Sequence, residues 1–154
     1  SWIFAFYSFW LFFIAPFFKK MINTKIIKIA SFTKNYGLKN KYTHKSSIKN
    51  SLCGDFIKTE FIADKIKIKS MRYETTSCIL CEASASLLSK KIKNIKIYEM
   101  IKEIKNLKKM INKKKYKLPK KFKEFNELIN KKNINRLNCV ILPMEAFLKA
   151  FKIN

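Results

Sequence analysis

The sequence predicts an α+β fold, a small antiparallel β-sheet of about three strands with helices packed on one face. Three observations carry that expectation. Two runs between Asp55 and Glu74 are rich in Ile, Phe, Thr and Tyr and alternate in character with the period of two that a half-buried strand requires. From Cys78 onward the apolar spacing changes to three and four, the signature of amphipathic helices. The chain has 154 residues, room for one core of the usual ~100–150-residue size, so sheet and helices must share it.

Taken in order, Ser1 to Phe18 is uncharged and strongly aromatic, and ends at Lys19 and Lys20. Its length falls near the lower limit of the roughly 17–25 apolar residues that span a bilayer. Residues 1–20 read either as upstream sequence ahead of Met21, which opens an ordinary cytosolic N-terminus, or as a membrane anchor. In the second case the two lysines leave the rest of the chain in the cytoplasm. A signal peptide is disfavoured by the missing basic n-region and small-residue cleavage site. The domain to be explained is therefore 21–154, expected in the cytoplasm and tethered to a membrane only through residues 1–18.

From Met21 the spacing of Ile22, Ile26, Ile29 and Ala30 predicts a short amphipathic helix. Lys34 to Asn50, polar and containing Gly37, is expected to be loop. Asp55–Ile62 and Lys65–Glu74 are the two strands, joined by a turn at Ala63-Asp64, and a third strand is expected from the neighbouring loop. In the first strand Ile57, Thr59 and Phe61 share one face and Phe56, Lys58, Glu60 and Ile62 the other. In the second, Ile66 and Ile68 alternate with lysines. A helix follows Cys78, with Ala83, Leu87 and Leu88 inward and Ala83-Ser84-Ala85-Ser86 slim enough for another backbone to approach closely. Ile97, Met100, Ile101, Ile104, Leu107 and Ile111 form the cleanest helical stripe, a core stripe. After the lysine-rich break around Pro119, Phe122, Phe125, Leu128 and Ile129 predict a shorter helix. The last helix is expected from about Cys139, burying Val140, Phe147, Ala150 and Phe151, with Pro143 in its first turn, where no helical acceptor is lost.

The net charge is +24, from 34 Lys+Arg against 10 Asp+Glu. Such a balance invites a phosphate polyanion or an anionic membrane as partner. Against a specific nucleic-acid reader stands the residue choice. Arginine, which reads bases through its bidentate fork, occurs only at Arg72 and Arg136, and aromatics are not interleaved with the basic residues for base stacking. The lysines read as solvated helix faces, and no specific nucleic-acid partner is expected.

Chemistry is concentrated in the cysteines. Cys53 and Asp55 flank Gly54, so in an extended segment both side chains point the same way and the glycine leaves the backbone open to a ligand. Cys78 follows the second strand at the expected start of a helix, and Cys139 begins another; helix N-termini favour the thiolate that binds metal and attacks sulfur. A few cysteines beside an acidic ligand point to metal or sulfur chemistry rather than to a disulfide framework. His44, the single histidine, reads as a solvated loop residue.

Three segments resemble one family. Asn50-Ser51-Leu52-Cys53-Gly54-Asp55 resembles the N-P-x-C-G-D segment of the NifU/IscU/SufU iron–sulfur cluster assembly scaffolds, with Ser51 at the usual proline. Cys78-Ile79-Leu80-Cys81-Glu82-Ala83-Ser84-Ala85-Ser86 resembles their C-x-x-S-x-A-S-A-S, and Arg136-Leu137-Asn138-Cys139 the R-x-x-C that opens their last helix. The segments occur in the family order. The resemblance implies a NifU N-terminal/IscU-like fold and a function as scaffold, binding iron and a nascent, transient iron–sulfur cluster through Cys53, Asp55, Cys78 and Cys139 and passing it to apo-proteins. A cysteine desulfurase and apo iron–sulfur proteins are the implied partners, and a scaffold of this kind is expected to be a carrier, an enzyme only if it is a sulfurtransferase.

Two departures bear on that reading. Cys81 stands at the family's serine, as an extra ligand, a sulfur acceptor or a silent residue, and Asn138 stands where IscU-type members carry His. The long basic stretch between Cys78 and Cys139 is closer to the SufU branch. That branch implies the alternative, a zinc-dependent sulfurtransferase that accepts persulfide sulfur from the desulfurase, with Cys139 the candidate acceptor and zinc the resting metal. A reading of another class is a basic nucleic-acid or membrane-surface protein, which predicts salt-sensitive binding to polyanions and indifference to replacing Cys53 or Cys139.

Overall fold

A computed structural model describes residues 24–153. The apolar segment 1–20 and the expected first turn at 21–23 lie outside the described residues. The order of elements is α1 (Thr24–Ala30), β1 (His44–Lys49), β2 (Phe56–Ala63), β3 (Ile68–Thr76), α2 (Ile79–Lys91), α3 (Ile97–Asn112), two 3₁₀ segments (Lys120–Glu127 and Lys131–Arg136) and α4 (Leu137–Ala150). The sheet is a meander, β1-β2-β3, antiparallel throughout, with the helices packed on one face, as an α+β domain requires. Among the described residues no helix is long and apolar enough to cross a membrane.

The core face of the sheet carries Ile57, Thr59 and Phe61 from β2 beside Met71 and Tyr73 from β3, all buried. Phe61 meets Phe147 of α4 edge-on, with ring centroids 5.4 Å apart. On the opposite face Glu60 is also buried, because the backbone N–H groups of Lys39, Asn40 and Lys41 donate to its carboxylate. The loop before β1 thus covers part of the face that alternation alone would leave to water.

Lys34–Asn50 is not all loop. His44–Lys49 pairs with β2 as an edge strand, Ile48 opposite Ile57, and supplies the third strand. An edge strand exposes half its residues and favours lysine, so its apolar signal is weak. The β2–β3 connection is longer than the expected two-residue turn: Asp64 Oδ1 accepts the N–H groups of Ile66 (2.7 Å) and Lys67 (2.6 Å). Ile66 is consequently 63% exposed, whereas Ile68 is fully buried.

Helix α2 is the axle of the domain. Every residue from Ala83 to Ser89 is buried, because α1 and α4 pack against it along with the sheet. The serines make this close approach: Ser84 Oγ donates to the Val140 carbonyl of α4, and Ser86 Oγ donates to Ile29 and Phe32 carbonyls at the end of α1. Helix α3 turns Met100, Ile104 and Leu107 inward, as its stripe requires. The expected short helix after Pro119 is instead two 3₁₀ segments separated at Asn130, whose side chain accepts the Lys132 N–H. Phe122, Phe125, Leu128 and Ile129 are nevertheless buried. Helix α4 starts at Leu137, so Pro143 falls in its interior rather than its first turn. A proline there has no N–H to offer the carbonyl four residues earlier, which is that of Cys139.

Candidate metal centre

Three parts of the chain meet at one end of the sheet. The β1–β2 turn brings Cys53 and Asp55; the N-terminus of α2 brings Cys78, its N-cap residue; and the first turn of α4 brings Cys139. The turn is closed by Asn50, whose Oδ1 accepts the Leu52 N–H at 2.9 Å and whose carbonyl accepts the Gly54 N–H at 2.8 Å. Gly54 has φ +74°, the left-handed region, and a Cβ there would meet nothing within 4 Å. Its role is therefore backbone conformation, and Cys53 and Asp55 converge through a turn rather than along an extended strand.

The ligand atoms of Cys53, Asp55 and Cys139 all lie within 4.8 Å of one another. Cys139 Sγ is 3.3 Å from Cys53 Sγ. Cys53 is exposed, whereas Asp55 and Cys139 are 6% and 4% exposed, so the group is rooted in the core and open on one side. Asp55 Oδ1 accepts the Cys78 backbone N–H at 3.0 Å, tying the turn to α2. Oδ2 is buried with no partner in hydrogen-bonding geometry, an uncommon and costly state for a carboxylate oxygen.

The electrostatics oppose each other. Burial works to raise the Asp55 pKa, but the thiol and N–H of Cys78 and the thiols of Cys139 and Cys53 outweigh it, so the carboxyl is held below its usual range. The Cys139 thiol is pushed up strongly, first by burial, then by its neighbours Cys53, Cys78 and Asp55. Its place at a helix N-terminus does not yield the expected easy thiolate, because burial, reinforced by the neighbouring Cys53, Cys78 and Asp55, disfavours the anion. A cation among these groups would reverse that balance, favouring deprotonation of every thiol around it.

The remaining candidates divide. Cys78 is tied to Asp55 through its backbone N–H and its thiol bears on the Asp55 and Cys139 pKa values, but its sulfur is not one of the three converging ligand atoms. Cys81 points into the core, fully buried, with Thr75 Oγ1 4.0 Å away; burial pushes its thiol up to about 12. It does not join the converging group. His44 opens β1 opposite Phe61 and stacks on Phe151, centroids 4.1 Å apart, away from the Cys53 turn. Sequence reading missed the cleft beside the centre, about 240 Å³, between Asn50–Leu52 and the face of α4 bearing Asn138, Ile141 and Glu145. Leu52, 81% exposed next to Cys53, was its available signal, an apolar residue in a polar turn.

The fold and this site define a class: a small α+β domain with thiols and one carboxylate gathered from distant segments at the edge of its core. The sequence profile described as the NifU-like N terminal domain matches residues 21–134. The chain therefore belongs to the NifU-like N-terminal domain family of iron–sulfur cluster assembly scaffolds, with the match ending before Cys139. Among solved structures it is similar to a nitrogen-fixing NifU-like protein (N-terminal) from Brucella abortus, with TM-score 0.76 and 14% identity over 84% of this chain and 91% of that one. It is also similar to a putative iron-sulfur cluster assembly scaffold protein for the SUF system from Fervidobacterium islandicum, with TM-score 0.71 and 21% identity over 84% and 95%. No curated protein matches the chain.

Proposed function

We propose that this protein assembles iron–sulfur clusters, holding iron and the nascent cluster through Cys53, Asp55, Cys78 and Cys139 and passing the product to apo-proteins. The observation that carries the reading is the convergence of Cys53, Asp55 and Cys139 within 4.8 Å across 86 residues of sequence. Three thiolates suit iron–sulfur clusters and zinc alike. A carboxylate is a harder and more exchangeable ligand, and with Cys53 exposed it leaves the product releasable. The unpartnered Asp55 Oδ2 is a ligand atom whose desolvation is already complete. Sulfur would come as persulfide from a cysteine desulfurase, for which Leu52 and the adjoining cleft offer a docking edge. Residues 21–154 form the working domain, in the cytoplasm, with residues 1–20 either upstream sequence or a membrane anchor.

The protein acts here as a carrier rather than an enzyme. The zinc-bound sulfurtransferase uses the same residues, and metal content separates the two. Anaerobic purification followed by elemental analysis is expected to give a brown protein with iron and acid-labile sulfide. Colourless protein with one zinc per chain supports the sulfurtransferase. Metal content unchanged by Cys53→Ala overturns both.

A further inference from the structure

Cys81 has no part in the converging ligand atoms, yet its position relative to Cys78 is specific. Cys78 is the N-cap of α2, with extended backbone (φ −69°, ψ 163°), and its side chain caps nothing. Cys81 is the third residue of the helix proper. An N-cap side chain that caps its helix is directed toward this third position; for Cys78 that place is free, its thiol acting now on Asp55 and Cys139. A disulfide needs the Cβ atoms about 3.5–4.5 Å apart, so closing the bond takes a shift of the N-cap residue, whose extended backbone is not locked into the helix. The Cys81 thiol packs against the end of β3. Its neighbour Thr75 Oγ1, 4.0 Å away, hydrogen-bonds Ser77, and Ser77 directly precedes Cys78. One member of the pair is half-buried and reachable, the other fully buried. A Cys-x-x-Cys pair at a helix N-terminus with that asymmetry is the arrangement of a redox-active dithiol, in which the reachable thiol meets the substrate and the sheltered one resolves it.

We propose that Cys78 and Cys81 are such a dithiol, and that they reduce sulfane sulfur to sulfide at the assembly centre. The step begins with a persulfide on Cys78, received from a persulfide donor directly or by exchange from Cys139. Cys81 sulfur attacks Cys78 Sγ; the Cys78–Cys81 bond forms as the bond to the sulfane sulfur breaks. The electron pair of that bond leaves with the outgoing sulfur, and the Cys81 proton accompanies it, so the products are one disulfide and one molecule of hydrogen sulfide. The two cysteines are oxidised and the sulfane sulfur is reduced; no further electron donor enters this turnover. A dithiol reductant reopens the disulfide by exchange. The burial that makes Cys81 a poor target for outside reagents is offset by its fixed proximity to one sulfur. Cys53, Asp55 and Cys139, the three converging groups, hold iron while Cys78 carries the persulfide, and Cys78 joins them as a ligand once the disulfide is reopened.

This inference rests on the sulfur-accepting part of the proposed function, and the test separates the two. The reduced, desalted full chain is treated anaerobically with one equivalent of glutathione persulfide; sulfide is assayed and cysteine linkages are mapped by peptide mass spectrometry. The expected result is about one sulfide released per chain and a Cys78–Cys81 disulfide. Cys81→Ser, a near-isosteric change at the family's own residue, is expected to keep the sulfane sulfur on Cys78 and to release sulfide at least tenfold more slowly, with zinc affinity unchanged. Equal release by Cys81→Ser, or a disulfide mapped to Cys53–Cys139, overturns the dithiol. A wild-type chain that loads Cys78 and keeps the persulfide overturns it while leaving the scaffold reading intact. A chain on which no cysteine takes up sulfur overturns the dithiol and the sulfur-accepting role together.

Discussion

Replacing Asp55 by alanine is expected to separate folding from metal binding. The Cys78 N–H donates to Oδ1 at 3.0 Å, and a hydrogen bond to a charged acceptor contributes about 1.5–3 kcal/mol. Against it stands Oδ2, buried without a partner, an arrangement that costs about 1–3 kcal/mol. The two nearly offset, so the metal-free, reduced Asp55→Ala variant should unfold within about 1.5 kcal/mol of wild type. For a domain of this size that is a change in Tm of about 3–6 °C. Metal affinity should respond differently. Four-ligand zinc sites of small domains bind with about 10–16 kcal/mol, roughly 2.5–4 kcal/mol per ligand. At 1.4 kcal/mol per decade, losing Asp55 should weaken zinc about 100–1000-fold, measured by competition with a chromophoric chelator. Asp55→Asn keeps the acceptor for Cys78 and should fold as wild type while still losing affinity. If Asp55→Ala loses more than about 3 kcal/mol of metal-free stability and binds zinc as tightly as wild type, Asp55 is a structural tie and not a ligand.

Other perturbations follow from the same geometry. Cys53→Ser and Cys139→Ser should each weaken zinc by about 100–1000-fold on the same per-ligand arithmetic, whereas Cys81→Ser should change it less than about threefold in the same competition assay. Because the Cys139 thiol is raised first by burial and then by its neighbours Cys53, Cys78 and Asp55, it must lose a proton to bind. Metal affinity should therefore rise with pH, about tenfold per unit for each proton displaced, and metal should be released on acidification, as a chelator titration at several pH values would show. Gly54→Ala should cost about 1 kcal/mol in urea denaturation, a purely conformational penalty at φ +74° with no steric clash. A much larger loss would mean that the turn holds the centre together more tightly than its contacts indicate.

What the sequence disclosed depended on how each residue is stabilised. β2, β3, α2 and α3 were legible because burial against one face imposes a period, and the serines of α2 were legible because only small side chains admit two backbones. β1 was hidden in a polar stretch because an edge strand keeps Lys45, Ser47 and Lys49 exposed, and the burial of Glu60 depends on a loop folding over it. The 3₁₀ segments and the start of α4 escaped for a related reason: apolar spacing reports which of Phe122, Phe125, Leu128 and Ile129 are inside, not how the intervening backbone turns. The approach of Cys53, Asp55 and Cys139 followed from family segments in order, since no local rule relates a β-turn to a helix 86 residues away. That Cys81 faces the core, behind Cys78, became clear only with the helix start fixed at Ile79.

X-ray absorption at the zinc K-edge, on the reduced chain loaded with one equivalent of zinc, tests the ligand set most directly. Three sulfur scatterers at about 2.3 Å and one oxygen at about 2.0–2.2 Å are predicted, unchanged in Cys81→Ser and reduced by one sulfur in Cys53→Ser. A shell of nitrogen and oxygen only, or four sulfurs that become three in Cys81→Ser, would contradict the account.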